Sequence, residues 1–146
     1  MIGWVLYSCQ TKREIVQLHG DSGWCWYQDE RAIIDGNQLI FSGVTSNGSN
    51  IVSSYHLNTG QQHSFVLNKD SLPVDDHNVG VLTIRPDGKY LSVYGGHGVD
   101  NWMRYRISTN PGDITQWGEE KMVDVGDYVQ KGEGQDSSTG RYRLQP

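Results

Sequence analysis

Short runs in which apolar and polar residues alternate, separated by glycine, asparagine or proline, dominate the chain from Trp24 onward. A period of two is that of an extended strand with opposite faces, whereas a helix needs apolar residues three and four apart. Strands are therefore predicted at Trp24 to Ile34, Gln38 to Val44, Ile51 to Leu57, His63 to Leu67, Val79 to Ile84, Tyr90 to Tyr94 and Trp102 to Ser108. Five segments separate them: Asp35-Gly36-Asn37, Ser46-Asn47-Gly48, Asn58-Thr59-Gly60, Pro86-Asp87-Gly88 and Asn110-Pro111-Gly112. Each supplies a residue suited to positive φ or to a fixed φ, so each reads as a hairpin turn. Within the third strand Ile51, Ser53, Tyr55 and Leu57 share one face. His56 falls on the other, where a solvated edge is expected.

The pattern repeats. Ile34-Asp35-Gly36-Asn37-Gln38-Leu39-Ile40-Phe41-Ser42-Gly43 can be laid on Pro86-Asp87-Gly88-Lys89-Tyr90-Leu91-Ser92-Val93-Tyr94-Gly95, 52 residues further on. The two share the Asp-Gly turn, the alternation and the closing glycine. Ser53-Ser54-Tyr55-His56-Leu57 parallels Met103-Arg104-Tyr105-Arg106-Ile107 at an offset of 50. A period near 50 built of four short strands is that of a propeller blade, a small sheet that must stack on its neighbours to bury its faces. The fold class expected is all-β, with about two four-stranded antiparallel blades. A ring closes with about four to eight blades, so an incomplete propeller is expected. The predicted division is a lead segment or remnant strand over 1–23, two blades over 24–125, and an irregular tail or truncated next blade over 126–146.

Composition narrows the functional classes. Five Trp and eight Tyr against two Phe, with 18 Gly, suit turn-rich strands and polar-tipped aromatic surfaces. A net charge of -5 without a basic cluster argues against nucleic acid and acidic membranes as partners. Cys9 and Cys25 lack the CxxC spacing of a zinc ribbon and are too few for a disulfide framework. Met1 to Cys9 is apolar but has no basic n-region, so no complete targeting segment is visible.

Three further motifs carry a family resemblance. Gly23-Trp24-Cys25-Trp26-Tyr27-Gln28-Asp29-Glu30-Arg31-Ala32-Ile33, then Asp75-Asp76-His77-Asn78-Val79, then Tyr94-Gly95-Gly96-His97 are similar in order and spacing to the opening blades of BNR-repeat proteins, a family that includes propeller-type ulvan lyases. The resemblance implies a seven-bladed propeller that cleaves a sulfated, uronate-containing polysaccharide by β-elimination. It also implies an extracellular or periplasmic setting. In that chemistry a base takes the proton α to the uronate carboxylate, while other groups neutralise the carboxylate and the enolate-like charge. Two His, a Tyr and an Arg do this in the resembled enzymes. By motif position His77 and His97 correspond to the two histidines. The Arg and Tyr are expected from later blades; Arg141, Tyr142 and Arg143 lie in a tail without strand character. The chain alone is expected to be inactive.

The placement of the two histidines agrees with this. His77 precedes a predicted strand and His97 follows the next one, so the hairpin at Pro86-Asp87-Gly88 returns both to one edge, one or two strand spacings of ~5 Å apart. Thr45 holds the position of His97 in the first repeat, so the blade itself does not demand a histidine there. The blander readings are a His77 ring that caps a turn with Asp75 or Asp76, and a His97 in an exposed loop between Gly96 and Gly98.

Candidate substrate-binding residues are Asn78, Arg31 and Trp26. For Arg31 an ion pair with Asp29 is the favoured reading, and for Trp24, Trp26 and Trp102, which could stack on sugar rings, core or inter-blade packing is the more ordinary one. No cofactor is expected. A metal held by Asp75, Asp76 and His77 is disfavoured, because adjacent residues rarely converge on one ion without help from elsewhere; a structural ion stays an alternative. Ser108 to Trp117 resembles a degenerate Asp-box, a bracing hairpin that marks architecture rather than activity. Two rival functions are a non-catalytic propeller that binds glycans and a sialidase-like hydrolase. The latter needs an arginine cluster and a Tyr/Glu nucleophile pair, which the sequence does not show.

Overall fold

The computed structural model describes residues 15–23, 32–68 and 72–125. Eight strands make two sheets. The first contains β1 (Ala32–Asp35), β2 (Gln38–Val44), β3 (Asn50–His56) and β4 (Gln62–Val66). The second contains β5 (Val81–Ile84), β6 (Tyr90–Gly95), β7 (Trp102–Ile107) and β8 (Lys121–Asp124). Both are antiparallel and ordered as in the sequence, β1-β2-β3-β4 and β5-β6-β7-β8. The only helical element among the described residues is a 3-10 turn at Asp76–Asn78.

The repeat in the sequence is thus a repeat of sheets. All five predicted turns contain a glycine with positive φ, the conformation an L side chain resists. Gly48 is the most constrained: at φ 83 a Cβ there would lie 2.2 Å from the Leu72 carbonyl oxygen. The segment after β4 therefore lies directly on the β2–β3 turn. β8 escaped the alternation, because Lys121–Asp124 is short and exposed along its whole length. Its pairing with β7, from Trp102↔Asp124 to Tyr105↔Lys121, defines it. Of the predicted first strand only Ala32 onward is described; Trp24, Trp26, Asp29 and Arg31, like Cys9, Cys25 and 126–146, lie outside the described residues.

The core lies between the sheets. Ile40, Val52 and Leu67 meet Leu82, Tyr90, Tyr94, Ile114 and Trp117, all buried, with Phe65 packed against them. In β6 the alternation is complete: Tyr90, Ser92 and Tyr94 are buried while the residues between them are partly exposed. The opposite face of the second sheet stays open, with Val81, Met103 and Val123 about half exposed. β3 is an interior strand buried on both faces as far as Ser54. His56 is accordingly half-buried rather than a solvated edge, its Nδ1 accepting from the turn N–H groups of Asn58 and Thr59 at 3.3 Å.

Hydrogen bonds fasten one sheet to the other. The Tyr90 hydroxyl donates to Asp35 Oδ2 at 2.7 Å, and that of Tyr94 lies 2.9 Å from the Leu67 carbonyl oxygen and 2.6 Å from Glu120 Oε2. Burial first, and then the neighbouring carboxylate, pushes both phenols well above the ordinary tyrosine range. The hairpin after β7 braces the second sheet: Ser108 Oγ accepts from Tyr90 N, Asp113 Oδ1 accepts from Thr115 N and Oγ1, and the buried Trp117 indole donates to the Ile114 carbonyl. These are the roles expected of an Asp-box-like hairpin.

Candidate functional site

The hairpin β5–β6 delivers both ends to the same edge of the second sheet, with Val81 opposite Val93. His77 precedes it and His97 follows it. Their rings stack with centroids 4.4 Å apart and planes 17° from parallel. The two residues that the topology was expected to bring together are in contact.

Asp75 organises them. Its Oδ1 accepts from the backbone N–H of His77 at 2.9 Å and lies 2.5 Å from His77 Nδ1, while its Oδ2 lies 3.0 Å from His97 Nδ1. Asp76 Oδ1 also lies 2.9 Å from His77 Nδ1. The His77 N–H holds the Asp75 carboxyl below the ordinary carboxylate range; partial burial opposes this and the His97 ring adds to it. Asp75 is thus ionised at neutral pH and can only accept hydrogen bonds. Both rings must then carry their proton on Nδ1, which assigns the lone pair of each neutral imidazole to Nε2. The contact of His77 with Asp75 is also the turn cap of the blander reading.

Asn78 fixes the second histidine. It is 2% exposed; its Oδ1 accepts from His97 N at 2.6 Å and its Nδ2 donates to the Pro73 carbonyl at 3.0 Å. Both ends of its amide are thus engaged within the protein. Gly98, at φ 65, turns the chain away after His97, so this glycine serves the loop itself. Of the other sequence candidates, Arg31 and Trp26 lie outside the described residues.

The rings border a cleft of about 510 Å3 whose floor is Val79, Val81, Val93 and Gly95, with Tyr94, Asp100, Trp102 and Met103 alongside. Its polar groups are largely committed elsewhere. The Tyr94 hydroxyl points to Leu67 and Glu120, and Asp100 forms a close two-pronged pair with Arg104, whose guanidinium holds the Asp100 carboxyl below the usual range. Among the described residues, the imidazoles of His77 and His97 are the exposed titratable rings that border this cleft. Sequence reasoning gave Asp75 a turn or a disfavoured metal site, not a bond to His97, and did not find Asp100 or Met103 as cleft residues. The Asp-x-His spacing signals the first contact, but the bond to His97 spans 22 residues and depends on the hairpin.

Asp75, His77 and His97 each offer one ligand atom, and these lie within 4.8 Å of one another. The help from elsewhere that the local sequence lacks comes from His97. Among the described residues no helix is long and apolar enough to cross a membrane.

A family model described as BNR repeat-containing family member matches residues 24–137. No curated protein matches the chain. Solved structures that resemble it include a PL25 ulvan lyase bound to -[GlcA(1-4)Rha3S]-, at 21% identity and TM-score 0.57 over 72% of this chain and 29% of that one, and a PL25 ulvan lyase at 21% identity and TM-score 0.55 over 68% and 28%. At such identity the likeness concerns the fold, and the two sheets are β-propeller blades. The chain spans less than a third of the length of these structures.

Proposed function

This chain belongs to the BNR repeat-containing family, and from that premise we propose that its two blades carry the histidine half of a polysaccharide lyase site acting on a uronate-containing, ulvan-type polysaccharide. The observation that carries the reading is the pair of stacked imidazoles whose Nδ1 atoms share one ionised carboxylate at the mouth of a cleft. With Nδ1–H held by Asp75, Nε2 of one ring is the base that removes the C5 proton of the uronate. The C5–H electron pair forms the C4=C5 double bond, the C4–O bond breaks, and the departing oxygen takes a proton from a general acid. The second imidazole, when protonated, donates to the uronate carboxylate, where negative charge grows in the transition state. An extracellular or periplasmic setting follows from a polymeric substrate.

The general acid and the arginine of such a site are not supplied by the cleft. Among the described residues Tyr94 borders the cleft, but its hydroxyl is engaged with Leu67 and Glu120, and Arg104 pairs with Asp100. That observation favours a second reading, a glycan-binding propeller without chemistry. The two are separated by incubating the chain with ulvan and following the absorbance of the unsaturated uronate, alongside the histidine ring spectra during titration with a glucuronate–rhamnose oligosaccharide. The lyase reading expects the oligosaccharide to shift both rings, and any elimination to fall at least a hundredfold in His77→Ala and His97→Ala. Ring signals indifferent to the sugar, or equal elimination by the variants, remove it. Saturable sugar binding that leaves both ring spectra unmoved selects the second reading.

A further inference from the structure

We propose that Asp75, His77 and His97 form a site for a zinc-class divalent cation that binds at the Nδ1 edge of both rings. Three observations converge on it. The ligand atoms lie within 4.8 Å of one another, so movements of an ångström or so would bring all three to the ~2.0–2.2 Å of zinc–nitrogen and zinc–oxygen bonds. The backbone on either side is already fixed, because His77 N donates to Asp75 Oδ1 and His97 N donates to the buried Asn78 amide. Asp76, 2.9 Å from His77 Nδ1, adds a second carboxylate beside the rings, a field that favours a cation over an anion.

The donor set selects the metal. Two imidazole nitrogens and one carboxylate oxygen suit zinc or a neighbouring transition ion; calcium and magnesium prefer all-oxygen shells. The 60% exposure of the His97 side chain leaves the open side to water, the fourth ligand of a three-residue zinc site. The Nδ1 protons that the ionised Asp75 requires would occupy the place of the ion, so proton and metal compete for one position. Ligation at Nδ1 moves the proton of each ring to Nε2.

This inference stands without the lyase reading. Under that reading it has a consequence: a ring protonated at Nε2 has no lone pair to accept the C5 proton, so the ion switches the histidine pair off.

The test is calorimetric titration of the chain with zinc chloride in a Cys9→Ser, Cys25→Ser background, which removes competing thiolates, together with 15N spectra of the histidine rings. One ion per chain is expected, with the Nδ1 signals of His77 and His97 both displaced. Affinity should fall at least tenfold in Asp75→Asn and in His97→Ala, stay unchanged in His63→Ala, and be negligible for calcium. No zinc binding, or equal affinity in Asp75→Asn and His97→Ala, overturns the proposal. Zinc binding in a chain whose rings ignore the oligosaccharide would leave the metal site standing and the lyase reading refuted.

Discussion

Asp75→Asn tests the organisation of the site through a near-isosteric change. The carboxylate receives one backbone and two imidazole N–H groups, at 2.9, 2.5 and 3.0 Å. An asparagine Oδ1 can keep the two contacts to His77, but its NH2 group then faces His97 Nδ1, where a second donor already stands. His97 is driven to the tautomer with its proton on Nε2, which turns Nδ1 into an acceptor. A hydrogen bond to a charged group contributes roughly 1.5–3 kcal/mol and a neutral one about 1 kcal/mol. Three bonds that each lose the difference, discounted for the partial exposure of both rings, amount to about 1–2 kcal/mol. Urea denaturation measures that loss, and long-range proton–nitrogen spectra of the rings read the tautomers directly. Where a carboxylate fixes the tautomer of a catalytic imidazole, its amide isostere costs on the order of 10^4 in rate, so under the lyase reading the rate of the complete site should suffer far more than stability. The linkage has a definite sign. The folded Asp75 carboxyl is more acidic than the unfolded one, so its contribution is present above the unfolded value and is lost as pH falls through the folded value. The Asn variant should therefore be less sensitive to acid. Unchanged stability together with an Nδ1–H tautomer still present at His97 would refute the reasoning.

Three further outcomes are expected. Tyr90→Phe removes the 2.7 Å bond from one blade to Asp35 of the other while keeping the buried ring; a loss of about 1.5–3 kcal/mol in urea, reduced when Asp35 is also replaced, is expected, and additive losses would show that the bond contributes nothing. The phenols of Tyr90 and Tyr94 titrate higher folded than unfolded, so their stabilisation is complete below the unfolded value of about 10 and erodes as pH rises beyond it; a melting temperature flat from neutral pH to above that value would contradict this. Gly48→Ala meets both a positive φ and a backbone oxygen 2.2 Å from the new Cβ; it should destabilise by more than the ~1 kcal/mol that such a change gains at a compatible position, and an unchanged unfolding midpoint would show that the Leu72 segment does not rest on this turn.

The blades were legible because their signals are local. Alternation marks strands, and Gly36, Gly48, Gly60, Gly88 and Gly112 mark turns that only a positive φ can make. The repeat then joins the strands into sheets of one design. β8 was missed because a short strand exposed at every position has no buried face to impose a pattern. The approach of His77 to His97 was legible for a geometric reason: an antiparallel hairpin must return its ends to one edge. The role of Asp75 was not, since a carboxylate shared between residues two and 22 positions away is a product of tertiary placement. Asn78 reads as a substrate-binding candidate in the sequence, and its burial between Pro73 and His97 is likewise a product of tertiary placement.

The central claim is that the rings of residues 77 and 97 lie face to face at one mouth of the second blade. Nuclear Overhauser spectra of the chain, with both histidines assigned by substitution, measure this directly. The account predicts strong cross-peaks between the imidazole protons of the two residues, as stacking at 4.4 Å requires. Rings that show no mutual cross-peaks, each near a different set of blade protons, would contradict it.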